Sequence, residues 1–193
     1  RMFSSSSWAS ARLSPGSLVA AGASYLEART RNGEWLLRIE DIDPPREVAG
    51  SATRILHALE KFGFAWDGEV LYQSTREDAY AAAVEQLRQK QLAFDCACSR
   101  SDVAEHSGHI GTEGPVYPGT CRDGLGGRTP RSIRVRAPSS EICFNDRLQG
   151  RICQQVGKDI GDFVIRRADD CHAYQLAVVV DDAWQGITDV VRG

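Results

Sequence analysis

The sequence has no long apolar run, no large excess of one charge and no internal repeat. Its longest apolar run, Leu176 to Val180, has the length of a strand and is far below the ~18 residues that favour a membrane span. The net charge of −3 provides no general basic surface, so a nucleic acid would have to be bound by local arginines. Residues 128–136 and the pair Arg166 and Arg167 are two candidate clusters, although a solvated strand face explains either one equally well.

Cysteine is present, but without the regular spacing of a secreted disulfide framework. This distribution is typical of a reducing compartment and predicts a cytoplasmic protein with a metal site. Three of the cysteines, Cys143, Cys153 and Cys171, lack partners at ligand spacing and are predicted to be small buried apolar residues. A chain of 193 residues with 42% hydrophobic and 25% charged residues can form one good core.

The N-terminal part contains two consecutive strand–helix patterns. A helix is predicted from Gly16 to a stop at Gly33, followed by a strand over 34–39 and a second helix over about 44–62. Connected units of this kind favour a parallel sheet, so the predicted fold class is α/β.

The later patterns are more varied. Ser74 and Glu77 have the spacing of a capping box in front of a third helix. Strands are predicted over 92–98 and over the alternating RSIRVRA segment at 131–137. The apolar run of AYQLAVVVDD, at 173–182, predicts a further strand that is buried on both faces.

Three carboxylates follow the predicted strand in the segment RIEDIDPPRE, at 38–47. In an open α/β sheet, ligands bind beyond the carboxyl ends of the strands, where Glu40, Asp41 and Asp43 would lie. One of them could hold a substrate ammonium, or all could cap the next helix and pair with neighbouring arginines; the layout favours neither alternative. Asp43 is the predicted N-cap of the second helix.

A metal site is indicated by the C-x-C pair Cys96 and Cys98, together with Cys121 in a glycine-rich loop. Three thiolates need a fourth ligand, and ordinary zinc chemistry favours histidine over a phenol. Spacing alone favours His109 among the three candidates, which are His106, His109 and Tyr117.

Three separated motifs, RIEDIDPPR, CAC…YPGTCR and AYQLAVVVDDAWQGITDVVRG, together resemble the glutamyl-queuosine tRNA(Asp) synthetases. These enzymes are shortened relatives of glutamyl-tRNA synthetase in the class I aminoacyl-tRNA synthetase family. The resemblance covers roughly residues 16–193 and keeps the family's motif order. It implies a Rossmann-like parallel-sheet catalytic domain that carries a zinc-bearing insertion and is incomplete at its C-terminus.

The same resemblance implies a domain layout and an activity. Residues 1–91 would form the first half of the catalytic domain, 92–150 the zinc-bearing insertion, and 151–193 the truncated second part. The expected enzyme is a ligase that activates glutamate with ATP, with Mg²⁺ assisting, and transfers the glutamyl group to the queuosine base of tRNA(Asp). The alternatives are a fragment of a glutamyl-tRNA synthetase, which the DIDPPRE segment disfavours, and an inactive zinc-stabilised RNA-binding module.

The resemblance also assigns site residues. It implies a structural Zn²⁺ bound by a C-x-C and Y-x-x-x-C pattern, a glutamate site, and a nucleotide site at the first helix. The zinc ligands would be Cys96, Cys98, Tyr117 and Cys121, the glutamate contacts Glu40, Tyr174 and Arg192, and the nucleotide contacts Gly16 and Ser17.

The two ATP motifs of the class are poorly represented. Ser14 stands where the first motif has its histidine, and the chain stops at Gly193, before the segment that would carry the lysine loop. Such groups stabilise the phosphoryl transition state, and their loss costs orders of magnitude in rate. No catalytic residue is therefore assigned, and we expect these 193 residues to be a fragment or an inactive variant.

Overall fold

The computed structural model describes residues 2–4, 14–43 and 48–191, with only the backbone described for 2–4. The chain divides into two compact units, one formed by residues 1–80 and 176–193 and the other by 81–175. The strands are β1 (Met2–Ser4), β2 (Trp35–Ile39), β3 (Leu71–Tyr72), β4 (Ala93–Cys96), β5 (Ile110–Gly111), β6 (Gly114–Pro115), β7 (Ser132–Val135), β8 (Ile142–Asp146), β9 (Gly150–Gln154), β10 (Val164–Arg166) and β11 (Asp189–Val190).

The helices are α1 (Pro15–Thr30), α2 (Ser51–Lys61), α3 (Glu77–Gln89), α4 (Arg100–His106), α5 (Val156–Asp159) and α6 (Tyr174–Gln185), with a 3-10 turn at Gln73–Arg76. Across the residues described, none of these helices has the length and apolar character needed to cross a bilayer.

The first unit contains a parallel sheet with the strand order β11-β1-β2-β3. Read from the β3 edge, this is the 3-2-1-4 order of a Rossmann half, in which ligands bind where the strand order reverses, between β1 and β11. The predicted α/β class and parallel sheet are confirmed. Neither β1 nor β11 was predicted, because strands this short show no periodicity.

The core of this unit forms around β2. Trp35 and Leu37 are fully buried against α1 and α2, and the Trp35 indole donates to Ser24 Oγ at 2.9 Å. The Trp35 ring also stacks on Phe64, with ring centroids 5.7 Å apart. Alternate residues of a strand share a face, so this packing places Arg38 and Glu40 on the opposite side of β2.

The predicted first and third helices are confirmed as α1 and α3, whereas α2 differs at its start. It begins at Ser51 with Gly50 as its N-cap, so Asp43 does not cap it. Residues 44–47, where the predicted helix would begin, lie outside the described part. Gly50 has φ +73°, a conformation that glycine adopts without steric cost.

The strand predicted over 173–182 is wrong, because this segment forms helix α6. A short apolar run cannot distinguish a buried strand from a buried helix. The deciding signal is polar: Asp181 and Gln185 are both buried and lie four residues apart, which places them on one helix face.

The second unit is built on an antiparallel sheet of order β10-β7-β4, with hairpins β5–β6 and β8–β9 beside it. The predicted strands at 92–98 and 131–137 are confirmed as β4 and β7. Asp162 is nearly fully buried and accepts from the Ala137 amide at 2.9 Å and from Arg122 at 3.1 Å. This carboxylate therefore connects the loop before β10 to the chain after β7.

The prediction that Cys143 and Cys153 are buried and unpartnered is wrong. They lie directly opposite each other on the exposed β8–β9 hairpin and form a disulfide. The sequence shows two cysteines ten residues apart, but only the hairpin register brings them together. Cys171 is partly buried and lies outside this disulfide.

An ion pair in the first unit leads to a prediction about acid stability. Asp67 Oδ2 accepts from the Trp35 amide at 2.8 Å and from Arg29 at 2.7 Å, and these bonds hold the Asp67 pKa below its usual value. A lowered pKa gives stabilisation that is present above the unfolded pKa of about 3.9 and disappears as pH falls through the folded pKa. Because both side chains are about one-third exposed, we expect Asp67→Asn to lose only about 1 kcal/mol at pH 7.

Urea unfolding of wild type and Asp67→Asn at pH 7 and pH 3 measures this effect. The difference in unfolding free energy should shrink at the lower pH. A difference that stayed constant would mean that the carboxylate charge contributes nothing.

Candidate functional site

Glu40 lies just after β2, at the carboxyl edge of the parallel sheet, where the sequence places the ligand site. Its side chain is only 3% exposed, and one carboxylate oxygen is 3.8 Å from the guanidinium of Arg38, which is completely buried. Burying a carboxylate is costly unless an opposite charge compensates it. The observed pair matches the alternative in which the edge carboxylates pair with neighbouring arginines.

Arg38 is held from the other side by α6. Its Nη1 donates to Asp182 Oδ1 and to Gln185 Oε1, both at 2.9 Å, and its Nε is 3.9 Å from Asp181. Sequence reasoning missed this arrangement, because Arg38 and its partners are separated by more than a hundred residues. The misassignment of α6 as a strand also concealed the shared helix face.

Asp181 is a second buried centre of the same unit. It is completely buried and accepts from Gln73 at 2.8 Å, from Tyr80 at 2.8 Å and from Arg76 at 2.6 Å. Burial, together with the hydrogen bond to Asp181, raises the pKa of Tyr80 far above its normal range, so this phenol stays protonated and acts as a donor. The arrangement connects the 3-10 turn and α3 to α6.

Asp41 has a structural role. Its carboxylate accepts from the Ser74 amide at 2.9 Å and from the Ser74 hydroxyl at 2.6 Å, which fixes the start of the 3-10 turn. Among the three predicted edge carboxylates, Asp41 therefore hydrogen-bonds to Ser74, whereas Glu40 faces a buried arginine.

The three predicted glutamate contacts cannot all be placed. Glu40 belongs to the first unit, Tyr174 is the partly buried first residue of α6 and belongs to the second, and Arg192 lies outside the described residues. Val190, the last residue of β11, precedes Arg192 by two positions. The grouping of these side chains stays a prediction.

The predicted nucleotide contacts lie in the first turn of α1. Ser14 is the N-cap, and its Oγ accepts from the Ser17 amide at 3.1 Å and contacts the Ser17 hydroxyl at 2.8 Å. Gly16 is exposed beside them. A helix N-terminus favours phosphate, although here Ser14 already uses one of the free amides.

The three predicted thiol ligands come together in the second unit. Cys96 ends β4, Cys98 follows after one residue, and Cys121 comes from the glycine-rich loop; their sulfur atoms all lie within 4.8 Å of one another. The Cys98 and Cys121 sulfurs are 3.6 Å apart, and all three residues are buried. Tetrahedral zinc with Zn–S of about 2.3 Å requires sulfurs about 3.8 Å apart, so the thiols fit.

The Tyr117 hydroxyl, rather than a histidine, lies at this cluster. It is 3.5 Å from the Cys96 sulfur and 4.0 Å from the Cys98 sulfur, and it accepts from the Cys121 amide at 2.7 Å. The two histidines contact backbone carbonyls elsewhere, His106 at Asp102 and His109 at Lys158. The spacing argument for His109 therefore has no support in this geometry.

Two arginines surround the thiols. Arg128 Nη2 is 3.1 Å from the Cys121 sulfur, and Arg134 Nε is 3.3 Å from the Cys96 sulfur, with the Arg134 guanidinium 4.1 Å above the Tyr117 ring. Burial raises the pKa of Cys121, but hydrogen bonds from Tyr117, Ala97 and the neighbouring thiols outweigh it and lower the pKa to about 7. The lowered pKa favours the thiolate of Cys121, the form that binds metals, whereas burial and the hydrogen bond to Cys121 raise the pKa of Cys98.

These contacts change the interpretation of the arginine cluster at 128–136. Arg128 and Arg134 contact the thiols, and Arg136 donates to the Arg122 carbonyl and lies 5.0 Å from the Phe94 ring. These three side chains are engaged within the unit, whereas Arg131 of the same cluster is exposed.

The sequence matches the family model described as tRNA synthetases class I (E and Q), catalytic domain, over residues 12–193. It is 58% identical over 180 residues to the glutamyl-Q tRNA(Asp) synthetase of Dechloromonas aromatica, covering 92% of this chain and 60% of that protein. The protein of the same name from Chromobacterium violaceum is 57% identical, over 94% of this chain and 61% of its own length. The one from Pseudomonas paraeruginosa is 54% identical, over 92% of this chain and 58% of its own length. The chain thus spans about 60% of these curated relatives.

The structure is similar to the crystal structure of a glutamate tRNA ligase from Elizabethkingia meningosepticum in complex with its amino acid. The TM-score is 0.74 at 25% sequence identity, over 91% of this chain and 40% of that chain. The glutamate-tRNA synthetase of Elizabethkingia anophelis gives the same values.

Proposed function

Because the chain belongs to the catalytic-domain family of class I tRNA synthetases (E and Q), we propose that the protein activates glutamate with ATP and transfers the glutamyl group to the queuosine base of tRNA(Asp). The observation that carries this proposal is 54–58% identity, over more than nine-tenths of the chain, to several proteins named glutamyl-Q tRNA(Asp) synthetase.

In the proposed glutamate site, Glu40 binds the substrate ammonium, and Tyr174 and Arg192 bind the remaining polar groups. The burial of Glu40 at the sheet edge supports its role, because a buried carboxylate strongly prefers a cationic partner. The planar fork of an arginine suits the side-chain carboxylate of glutamate. An oxygen of the substrate α-carboxylate then attacks the α-phosphorus of ATP, and pyrophosphate leaves.

In the proposed nucleotide site, Gly16 and Ser17 at the start of α1 would contact the phosphates of ATP, and Mg²⁺ would offset part of the phosphate charge. The small Gly16 allows close approach, and the helix N-terminus provides a favourable potential for phosphate. Ser14 replaces the motif histidine, so this chain would lack one charge-stabilising donor. Catalysis would then depend on positioning of the two substrates.

We further propose that Cys96, Cys98, Cys121 and Tyr117 bind one structural zinc ion. Four protein ligands leave no open position for water, so the ion would connect β4 to the glycine-rich loop without taking part in the reaction. Arg128 and Arg134 would act as outer partners that orient the thiolates. This makes the segment around 92–150 a zinc-bearing insertion of the catalytic domain.

The location of the product distinguishes the candidate functions. The intact protein would be incubated with labelled glutamate, ATP and tRNA(Asp) that carries queuosine, with unmodified tRNA(Asp) and tRNA(Glu) as controls. We expect label on the anticodon base of modified tRNA(Asp) alone. We also expect the protein to be cytoplasmic, because these substrates occur in the cytoplasm. Esterification at the 3′ end of tRNA(Glu) would identify a glutamyl-tRNA synthetase, and the absence of glutamate-dependent pyrophosphate exchange would identify an inactive module.

A further inference from the structure

Arg38 lies between the proposed ammonium ligand and helix α6. Its side chain is completely buried, its Nη2 faces Glu40 at 3.8 Å, and its Nη1 donates to Asp182 and Gln185 at 2.9 Å each. A guanidinium is planar, so a fork with one nitrogen fixed by two acceptors has its other nitrogen fixed in direction as well. The hydrogen bonds from Arg38 to α6 therefore also fix the direction of the Arg38 nitrogen that faces Glu40.

We infer that Arg38 is a positioning residue for glutamate binding, and that Asp182 and Gln185 act through it. This inference rests on the proposed function, because it assumes that Glu40 binds the substrate ammonium. Without Arg38, a carboxylate as buried as Glu40 would tend to take up a proton or move toward water, and either change weakens its attraction for an ammonium. With Arg38 fixed, the carboxylate stays ionised in one orientation before the substrate arrives.

Asp181 adds rigidity from the opposite direction. Its carboxylate is 3.9 Å from Arg38 Nε and accepts from three donors on the 3-10 turn and α3. The acid that follows it in the sequence, Asp182, is about one-quarter exposed. Asp181 is therefore part of the packed interior, whereas Asp182 can be altered with less risk to folding.

The test uses Asp182→Asn and Gln185→Met in the intact protein. Each substitution removes or weakens one acceptor of Arg38 while keeping the side-chain size. The matched control is Glu60→Gln, because Glu60 is an exposed residue on α2 that pairs with His57. We expect each variant to raise the KM for glutamate about 10-fold in ATP–pyrophosphate exchange, a typical loss for a supporting partner. The KM for ATP and the unfolding midpoint should change little, and glutamate affinity measured by calorimetry should fall in parallel.

The outcomes separate this inference from the proposed function. If wild type neither binds glutamate nor catalyses exchange, the proposed function fails. If wild type binds glutamate and the variants keep its KM, the positioning role is refuted. Equal changes in both KM values, or a lower unfolding midpoint without a selective change for glutamate, would mean that the network is structural only, which also overturns the inference.

Discussion

Glu40→Gln is expected to lower glutamate-dependent ATP–pyrophosphate exchange by about 10²- to 10³-fold. The substitution keeps the size of the side chain but removes the charge that would face the substrate ammonium. Breaking a buried ion pair by neutralising one partner costs about 3–5 kcal/mol, and each 1.4 kcal/mol corresponds to a factor of ten. The loss should appear in glutamate affinity, measured by calorimetry, as well as in exchange.

Two further variants make this prediction specific. Glu40→Asp keeps the charge but withdraws it by one methylene, so its exchange rate should lie between those of wild type and Glu40→Gln. Glu60→Gln removes an exposed carboxylate from the same unit and should behave as wild type. Zinc content should be the same in all of these proteins, because Glu40 lies in a different unit from the cysteines. Equal loss of glutamate binding and zinc in Glu40→Gln would instead identify Glu40 as a structural residue.

The features that the sequence predicted correctly are those in which neighbouring residues carry the signal. The glycine stop at Gly33 and the apolar spacing of α2 and α3 reflect local helix physics. The C-x-C pair forms a cluster because Cys96 ends β4 and the chain turns immediately afterwards. Cys121 could be added because a glycine-rich loop readily folds back on such a pair.

The features that were missed depend on contacts between distant residues. Nothing near Arg38 in the sequence shows that its acceptors are Asp182 and Gln185, because the sheet and α6 must form before they meet. The Cys143–Cys153 pair likewise depends on the register of a hairpin. These are tertiary contacts, for which local propensity carries no information.

The assignment of α6 shows how one ambiguous pattern affects a site prediction. As a strand, residues 173–182 would alternate their side chains across two faces, and Asp181 and Gln185 would not have been compared. As a helix that continues to Gln185, the segment presents the buried Asp181 and Gln185, four residues apart, to β2 and α3. The buried polar positions, not the apolar ones, therefore distinguish this helix from a strand.

Cys98→Ser is expected to reduce zinc content from about one ion per chain to nearly none after dialysis. Loss of one thiolate from a closed four-ligand site should weaken binding by more than the roughly 10–100-fold that removal of an outer partner costs. Because metal binding and folding of such a segment are coupled, the loop that holds Cys121 should become more sensitive to protease. Metal analysis of dialysed protein and limited proteolysis with mass spectrometry measure both effects.

Two matched variants complete this test of the zinc site. Cys171→Ser removes a cysteine outside the cluster and should keep both the zinc and the protease resistance of wild type. Arg128→Ala removes the guanidinium 3.1 Å from the Cys121 sulfur and should retain zinc under mild dialysis but lose it to a competing chelator sooner than wild type. Unchanged zinc in Cys98→Ser would rule out the proposed ligand set. If Cys171→Ser lost zinc as well, zinc content would depend on the stability of the whole unit. Zinc loss in Cys98→Ser would then not show that these thiols coordinate the ion.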